Sequence, residues 1–107
     1  MTVKVKICGI TRSEDALLAS ELGSWAVGFI FAKNSQRYIT PEKAGEITKV
    51  LPQKVEKFGV FVNSDLKEVY NISKIAGLTK IQLHGEETPD FCFKLKKLVN
   101  PDIIKAF

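Results

Sequence analysis

The stretch KIQLHGEETPD, residues 80–90, decides the fold, because it contains the end of one strand and the start of one helix. Polar and apolar side chains alternate over residues 80–84, which is typical of a β-strand with two different faces. Thr88 followed by Pro89 is a favoured helix start, because a capping hydroxyl precedes a proline at the first helical position. The stretch therefore predicts a strand, a short loop and a helix.

The same order of elements recurs along the chain. Thr40-Pro41 starts another helix after an apolar strand, a third helix starts near Asp65, and Gly23 and Gly77 follow predicted helices as caps. Five strands are predicted at residues 3–8, 26–31, 58–62, 80–84 and 102–107. Strands that alternate with helices in this way indicate a parallel sheet with right-handed crossovers.

Each predicted helix has one apolar face. The first helix should begin with a capping box formed by Thr11 and Glu14. The residues expected to pack in the core are Ala16, Leu17 and Leu22 in the first helix, Ala44, Ile47 and Leu51 in the second, Val69, Ile72, Ile75 and Ala76 in the third, and Phe91, Leu95 and Leu98 in the fourth. Cys92 lies among the last of these, where an inert thiol is expected.

Two architectures are compatible with this alternation: an open, doubly wound sheet and a (βα)8 barrel. No Gly-x-Gly-x-x-Gly motif follows a predicted strand, so dinucleotide binding has no support. Polar residues share one face of two strands: Lys4, Lys6 and Cys8 in the first, and Lys80, Gln82 and His84 in the fourth. Helices on both faces would bury these lysines at a high cost, whereas a barrel interior or an exposed edge would leave them near water.

The barrel is favoured, because polar residues also stand at the strand ends where a barrel has its active site. The predicted fold class is therefore α/β, a TIM-barrel fragment of about (βα)4 plus a fifth strand. A complete barrel needs roughly 200 residues or more, so residues 1–107 are predicted to be the N-terminal half of a single TIM-barrel domain. Unpaired first and last strands would favour self-association or pairing with the missing C-terminal half.

Composition argues against several classes of protein. The net charge is +4, but the lysines are spread along the chain, so no nucleic-acid partner is expected. A surplus of this size fits an anionic small molecule or a solvated surface. Lys4 and Lys6 argue against a signal peptide, and no run approaches the ~20 apolar residues that cross a bilayer. Two cysteines in such a chain indicate free thiols and a cytoplasmic protein.

Three side chains are candidates for chemistry. Cys8 follows a strand and could act as a base if the nearby cations Lys6 and Arg37 favour its thiolate, although an inert buried cysteine is the commoner case. Arg37 could hold a carboxylate in a bidentate grip, or could be an ordinary surface arginine. His84 closes a strand, and a lone histidine is more often structural. With only Cys8 and His84 at hand a zinc site is disfavoured, and nucleophilic catalysis would need an acyl substrate.

Four segments together resemble the phosphoribosylanthranilate isomerase family. They are KICGIT at residues 6–11, GFIF with SQRYI at 28–31 and 35–39, GVFVN at 59–63, and QLHGE at 82–86. They occur in the family's order, at the ends of successive predicted strands, and they extend over most of the chain. One such motif would be a weak signal, whereas four in register make a strong one.

The resemblance implies a TIM-barrel enzyme of tryptophan biosynthesis. The family rearranges N-(5-phosphoribosyl)anthranilate to 1-(2-carboxyphenylamino)-1-deoxyribulose 5-phosphate, an Amadori rearrangement that needs neither metal nor organic cofactor. Carried over to the matching positions, Cys8 is the general base, Arg37 grips the anthranilate carboxylate, and His84 at the rim positions the substrate. The implied partner is this small-molecule substrate, with no nucleic acid and no membrane.

The resemblance also implies that parts of the enzyme are missing. The family's general acid is an aspartate after the fifth strand, and its phosphate site is built by loops after the seventh and eighth. Asp102 opens the fifth strand, so it is not the acid, and the chain alone is expected to be inactive. A second hypothesis is an inactive half-barrel module that self-associates or awaits its complement. A third is another phosphate-binding barrel of tryptophan or histidine biosynthesis.

Overall fold

The predicted alternation of strands and helices is confirmed. A computed structural model of the protein describes residues 4–105. In chain order its elements are β1 (Lys6–Cys8), α1 (Ser13–Glu21), β2 (Ala26–Ile30), α2 (Pro41–Val50), β3 (Glu56–Phe61), α3 (Leu66–Ala76), β4 (Lys80–Leu83), α4 (Pro89–Leu98) and β5 (Asp102–Lys105). Over these residues, no helix combines the length and the apolar composition needed to cross a membrane.

The strands form one parallel sheet in the order β1-β2-β3-β4-β5. Each strand pairs with the next strand of the chain, because a helix carries the chain back to the starting edge after every strand. All the carboxyl ends of the strands therefore lie along one edge of the sheet, called here the carboxyl edge. The opposite one is the amino edge.

The strand boundaries differ from the predicted ones by a few residues. Val3, Ala106 and Phe107 of the predicted end strands lie outside the described residues. β3 begins at Glu56, earlier than predicted, although Glu56 and Lys57 are charged. The hydroxyl of Thr79 stabilises this start, because it accepts from the Lys57 N–H at 2.8 Å and donates to the Glu56 carboxylate at 2.7 Å.

Three of the four helix starts are as predicted. The side chains of Thr40, Asp65 and Thr88 each accept a hydrogen bond from a backbone N–H of the first turn. The capping box at Thr11 is wrong, since α1 begins one residue later and its N-cap, Arg12, makes no side-chain cap. The N–H groups of the preceding loop residues 9 and 10 both bind one carbonyl of β2, which keeps the chain out of helical conformation until Arg12.

The helices cover one face of the sheet and form the core with it. Side chains of that face are fully buried, namely Val27, Phe29, Phe61, Ile81 and Leu83. The predicted core residues of α2 are all buried, and so are Ala16, Val69, Ala76 and Leu95. Ile72, Phe91 and Cys92 are partly buried and pack against this core.

Four predicted core residues are wrong. Leu17, Leu22, Ile75 and Leu98 are 39%, 76%, 49% and 50% exposed. In α1 the smaller Ala16 and Ala19 are the buried residues instead. Exposed apolar side chains are common on proteins. Leu17 lies in α1, and Leu22 directly follows that helix as its C-cap.

The other face of the sheet carries the polar side chains that the sequence placed together. Lys6 Nζ of β1 donates to Gln82 Oε1 of β4 at 2.7 Å, although two strands separate them in the sheet. The sheet must therefore curve so that its polar face is concave, as the interior of a barrel is. The sequence left two positions open for these lysines, a barrel interior and an outermost strand. Of their two strands only β1 is outermost in the sheet, since β4 lies between β3 and β5.

Candidate functional site

Cys8 ends β1 in a turn that the backbone holds tightly. Gly9 has a φ of +83°, and the N–H groups of Gly9 and Ile10 both donate to the carbonyl of Gly28 at 3.0 Å. Gly28 faces Cys8 on β2, where a Cβ atom would lie 2.9 Å from the Cys8 Sγ. The glycine thus leaves room for the thiol, which is half-buried on the concave face at the carboxyl edge.

Arg37 reaches the same turn from the loop after β2. Its Nη1 donates to the Cys8 carbonyl at 3.3 Å, and a Cβ on Gly9 would lie 2.5 Å from that nitrogen. The loop folds back because Tyr38 pairs with Ile30 and the Ile39 N–H donates to the Ile30 carbonyl at 3.2 Å. The structure therefore brings the guanidinium of Arg37 onto the Cys8-Gly9 backbone.

The two predicted cationic neighbours of Cys8 differ in their contacts. Lys6 Nζ donates to Gln82 and lies 4.2 Å from the centroid of the Phe58 ring, deeper on the concave face. Arg37 is adjacent to Cys8, but its hydrogen bond goes to the backbone oxygen. Arg37 is therefore the cation at this turn, with exposed N–H groups left for a ligand.

His84 lies on the same edge but apart from these two residues. Its backbone N–H donates to the Phe61 carbonyl at 2.8 Å, which extends the pairing of β3 and β4 by one residue. The imidazole is exposed, and among residues 4–105 no hydrogen bond joins it to Cys8 or Arg37. Cys8 and Arg37 thus form one unit, and His84 lies separately at the ends of the central strands.

Glu87 is a buried charged residue that the sequence analysis missed. Its side chain is only 2% exposed and accepts from Lys105 Nζ at 2.9 Å, from the Gly85 N–H at 2.9 Å and from the Asn63 N–H at 2.8 Å. Burial is the largest influence on the pKa of Glu87 and opposes ionisation. The hydrogen bonds from Lys105 and from backbone N–H groups together outweigh it and hold the pKa below the ordinary 4.5.

No sequence signal distinguishes Glu87 from the exposed Glu86 beside it. Lys105 offers a weak signal, because it stands on the helix-facing side of β5 where an apolar residue is the norm. A charge at such a position needs a buried partner. Asp102, which opens β5 at the amino edge as predicted, instead pairs with Lys80 at 2.6 Å.

A cleft of about 510 Å³ opens beside the carboxyl edge, between the loop after β2 and the start of α3. Its polar side chains come from Lys33, Asn34, Tyr38, Asn63, Ser64 and Glu68. Neither Cys8, Arg37 nor His84 lines it. The candidate site is therefore the open concave end of the sheet, with this cleft at its side.

A curved parallel sheet with helices on its convex face and polar residues at its carboxyl edge defines the class of βα-barrel proteins. A family model described as N-(5'phosphoribosyl)anthranilate (PRA) isomerase matches residues 5–107. The chain belongs to this family. That membership overturns the hypothesis of a different phosphate-binding barrel.

Relatives and solved structures agree with this assignment. The chain is 51% identical to an N-(5'-phosphoribosyl)anthranilate isomerase of Thermotoga neapolitana over 104 residues, 97% of this chain and 50% of the relative. A phosphoribosyl anthranilate isomerase in complex with reduced 1-(o-carboxyphenylamino)-1-deoxyribulose 5-phosphate superposes with a TM-score of 0.93 at 45% identity, covering 98% of this chain and 53% of that one.

A third match is to monomers generated from a dimeric phosphoribosylanthranilate isomerase of Thermotoga maritima. Its TM-score is 0.91 at 44% identity, with 98% of this chain and 53% of that chain covered. The chain thus spans about half the length of the relatives it matches.

Proposed function

We propose that this chain contributes the base and the carboxylate-binding residue of a phosphoribosylanthranilate isomerase of tryptophan biosynthesis. The observation that supports it is the contact between Arg37 and the Cys8-Gly9 backbone at the open carboxyl edge. A thiol and an arginine that meet at one turn suit a substrate whose carboxylate must be held while a proton is removed nearby. No metal or organic cofactor takes part in the proposed reaction.

The reaction divides into a ring opening and a proton transfer. A general acid protonates the ribose ring oxygen, and the ring opens to a Schiff base. The cationic imine makes the C2 proton acidic, so the Cys8 thiolate can remove it, and the enolamine then tautomerises to the ketone. Arg37 would hold the anthranilate carboxylate through the N–H groups that do not bind Cys8. His84 would position the substrate from the end of β4, on the same carboxyl edge but apart from Cys8 and Arg37.

The acid and the phosphate site are proposed to come from elements beyond residues 4–105. Within that range Glu87 is buried in an ion pair at the carboxyl edge, and Asp102 is at the amino edge. We therefore propose neither of these two carboxyl groups as the acid. Without an acid and a phosphate grip, the chain alone should have almost no activity.

The sheet offers two places for the complementary elements. β1 pairs only with β2 and β5 only with β4 in the described residues, so each has a free row of backbone groups. Val5 before β1, Ile7 in β1 and Leu18 in α1 are 47%, 38% and 53% exposed. We propose that residues 1–107 form the N-terminal half of one TIM-barrel domain. Further strands would then pair with β1 and with β5. A self-associating, inactive half-barrel is the alternative.

A complementation assay tests the proposal. Consumption of phosphoribosylanthranilate is followed by fluorescence with this chain alone, and with the C-terminal half of the Thermotoga neapolitana relative added. We expect activity only in the mixture, abolished by Cys8→Ser and retained in Cys92→Ser. Activity of the chain alone would refute the need for an external acid.

Light scattering after size exclusion separates the two hypotheses in the same samples. A 1:1 complex of the two halves with turnover supports the isomerase. Folded chain that forms only homodimers and shows no turnover in the mixture supports the inactive module instead.

The two free thiols, Cys8 and Cys92, fit the reducing cytoplasm that we propose as the location of the protein.

A further inference from the structure

The buried carboxylate of Glu87 joins the ends of three strands. Its partners are the Asn63 N–H after β3, the Gly85 N–H after β4 and the ammonium of Lys105 at the end of β5. Lys105 also donates to the Gly85 carbonyl. These four residues are called the Glu87 cluster.

The cluster binds loop backbone rather than core side chains. A buried ion pair is weak evidence of stabilisation, because well-packed apolar residues often replace one without loss. Here both charges of the pair make further hydrogen bonds to the peptide groups of Gly85, which immediately follows His84. The arrangement therefore restrains a loop at the candidate site, which an apolar pair could not do.

Several hydrogen bonds hold the backbone around His84. The His84 N–H binds the Phe61 carbonyl, and the Glu86 N–H donates to Asn63 Oδ1 at 2.7 Å. Asn63 has a φ of +53°, which is rare for a residue other than glycine and puts its amide oxygen within reach of that N–H. His84 is exposed. These backbone bonds therefore fix the position from which its side chain leaves the sheet, namely the direction of its Cα–Cβ bond.

We propose that Glu87 and Lys105 are positioning residues that hold His84 in the orientation in which it contacts the substrate. The inference rests on the proposed isomerase function, since only a substrate at the carboxyl edge gives the orientation of His84 a purpose. Glu87 and Lys105 themselves touch no substrate, and their effect passes through the backbone of Gly85.

The first experiment needs no turnover. His84 is the only histidine of the chain, so its ring signals in NMR spectra are unambiguous. Glu87→Gln should shift these signals and speed amide exchange of Asn63 and Gly85 about tenfold or more, because one charged partner of each bond is lost. Glu86→Gln removes the same charge from the exposed neighbour and should change neither. Unchanged signals and exchange in Glu87→Gln would overturn the proposal.

Should Glu87→Gln fail to fold, Lys105→Gln replaces it. This change removes the ammonium that binds the Glu87 carboxylate and the Gly85 carbonyl, and it keeps the backbone N–H groups of Gly85 and Asn63 that bind Glu87. The His84 ring signals should then shift while the rest of the spectrum is retained. An unshifted ring in this variant would equally refute the proposal.

The second experiment is a double-mutant cycle in the complemented enzyme. Glu87→Gln should lower kcat/KM about tenfold to a hundredfold, as a misplaced binding group does. In a His84→Ala background the same change should have no further effect on kcat/KM, while its effect on stability persists. Equal losses in both backgrounds would indicate a merely structural role. If the wild-type mixture has no turnover, the proposed function fails, and the NMR experiment still shows separately whether Glu87 positions His84.

Discussion

The two edges of the sheet both contain paired charges, but the pairs are used differently. At the amino edge, Lys80 pairs with Asp102 at 2.6 Å and with Glu56 at 3.9 Å, side chain to side chain between neighbouring strands. At the carboxyl edge, Glu87 and Lys105 both bind backbone groups of the loop that follows His84. Charges at one edge hold strands together, and charges at the other hold a loop in place.

Lys57, a buried lysine near the start of β3, extends the comparison between the two edges. Lys57 is only 7% exposed and its Nζ donates to the Pro52 carbonyl at 3.0 Å, just after α2 ends. Burial lowers the pKa of Lys57 below 10.5, and the adjacent Glu56 carboxylate offsets this in part. In a βα barrel, features at the amino edge serve stability and those at the carboxyl edge serve function. Substitutions at the two edges should therefore affect different measurements.

The largest effect is expected at Cys8. Cys8→Ser should lower kcat of the complemented enzyme about a thousandfold, because a serine hydroxyl is a far poorer base than a thiolate. The free energy of unfolding should change by less than about 1 kcal/mol. Cys92→Ser, on α4 against the core, is the matched control and should retain kcat. A normal kcat in the Cys8→Ser enzyme would show that Cys8 is not the base.

Two glycines with nearly the same backbone angle provide the next comparison. Gly9 has a φ of +83° beneath Arg37, whereas Gly23 has +86° with open space around it. Alanine at either position should reduce stability by about 1–2 kcal/mol, the cost of a left-handed conformation. Only Gly9→Ala should also displace Arg37 and raise KM, by about tenfold. KM is measured by initial rates, and an equal KM in both variants would contradict the carboxylate grip.

Glu87 should make stability depend on pH at the carboxyl edge. Its pKa in the folded protein lies below 4.5, so its contribution is complete above pH 4.5 and is lost as the pH falls through the lower folded value. At pH 7 Glu87→Gln should reduce stability by about 2 kcal/mol relative to Glu86→Gln. Urea unfolding at several pH values checks this. A difference that stays constant down to pH 3 would show that Glu87 is not ionised in the cluster.

The smallest effect is expected at Lys57. Lys57→Met should change stability by less than about 1 kcal/mol at pH 7, because a hydrated Pro52 carbonyl replaces one hydrogen bond while a buried charge is removed. Kinetic constants should be unchanged. Between its lowered pKa and 10.5 the folded protein binds fewer protons than the unfolded chain. Wild type should therefore gain stability over the variant as the pH rises toward 10.5. The opposite trend in urea unfolding would argue against a desolvated Lys57.

The sequence patterns were most informative where they repeat along the chain. The helix starts at Thr40, Asp65 and Thr88 could be predicted because a cap uses residues that are neighbours in the chain. The helix start at Thr11 was predicted wrongly, because the loop before it is bound to the backbone of β2, which is distant in the sequence. Core residues show the same dependence on distant contacts. The burial of Ile47 and Leu95 was predictable from the helical period of apolar residues, whereas the exposure of Leu22 depends on what packs against α1.

By itself the sequence determined the order of strands and helices, the parallel sheet and the residues that end its strands. These follow from local preferences and from the side-chain period of each element, which act over a few residues. Only the tertiary structure decided that Lys6 reaches Gln82 across a curved sheet, that Arg37 lies on the Cys8-Gly9 turn, and that Glu87 rather than Glu86 is buried. Such contacts join residues far apart in the chain, and their geometry exists only once the sheet has folded.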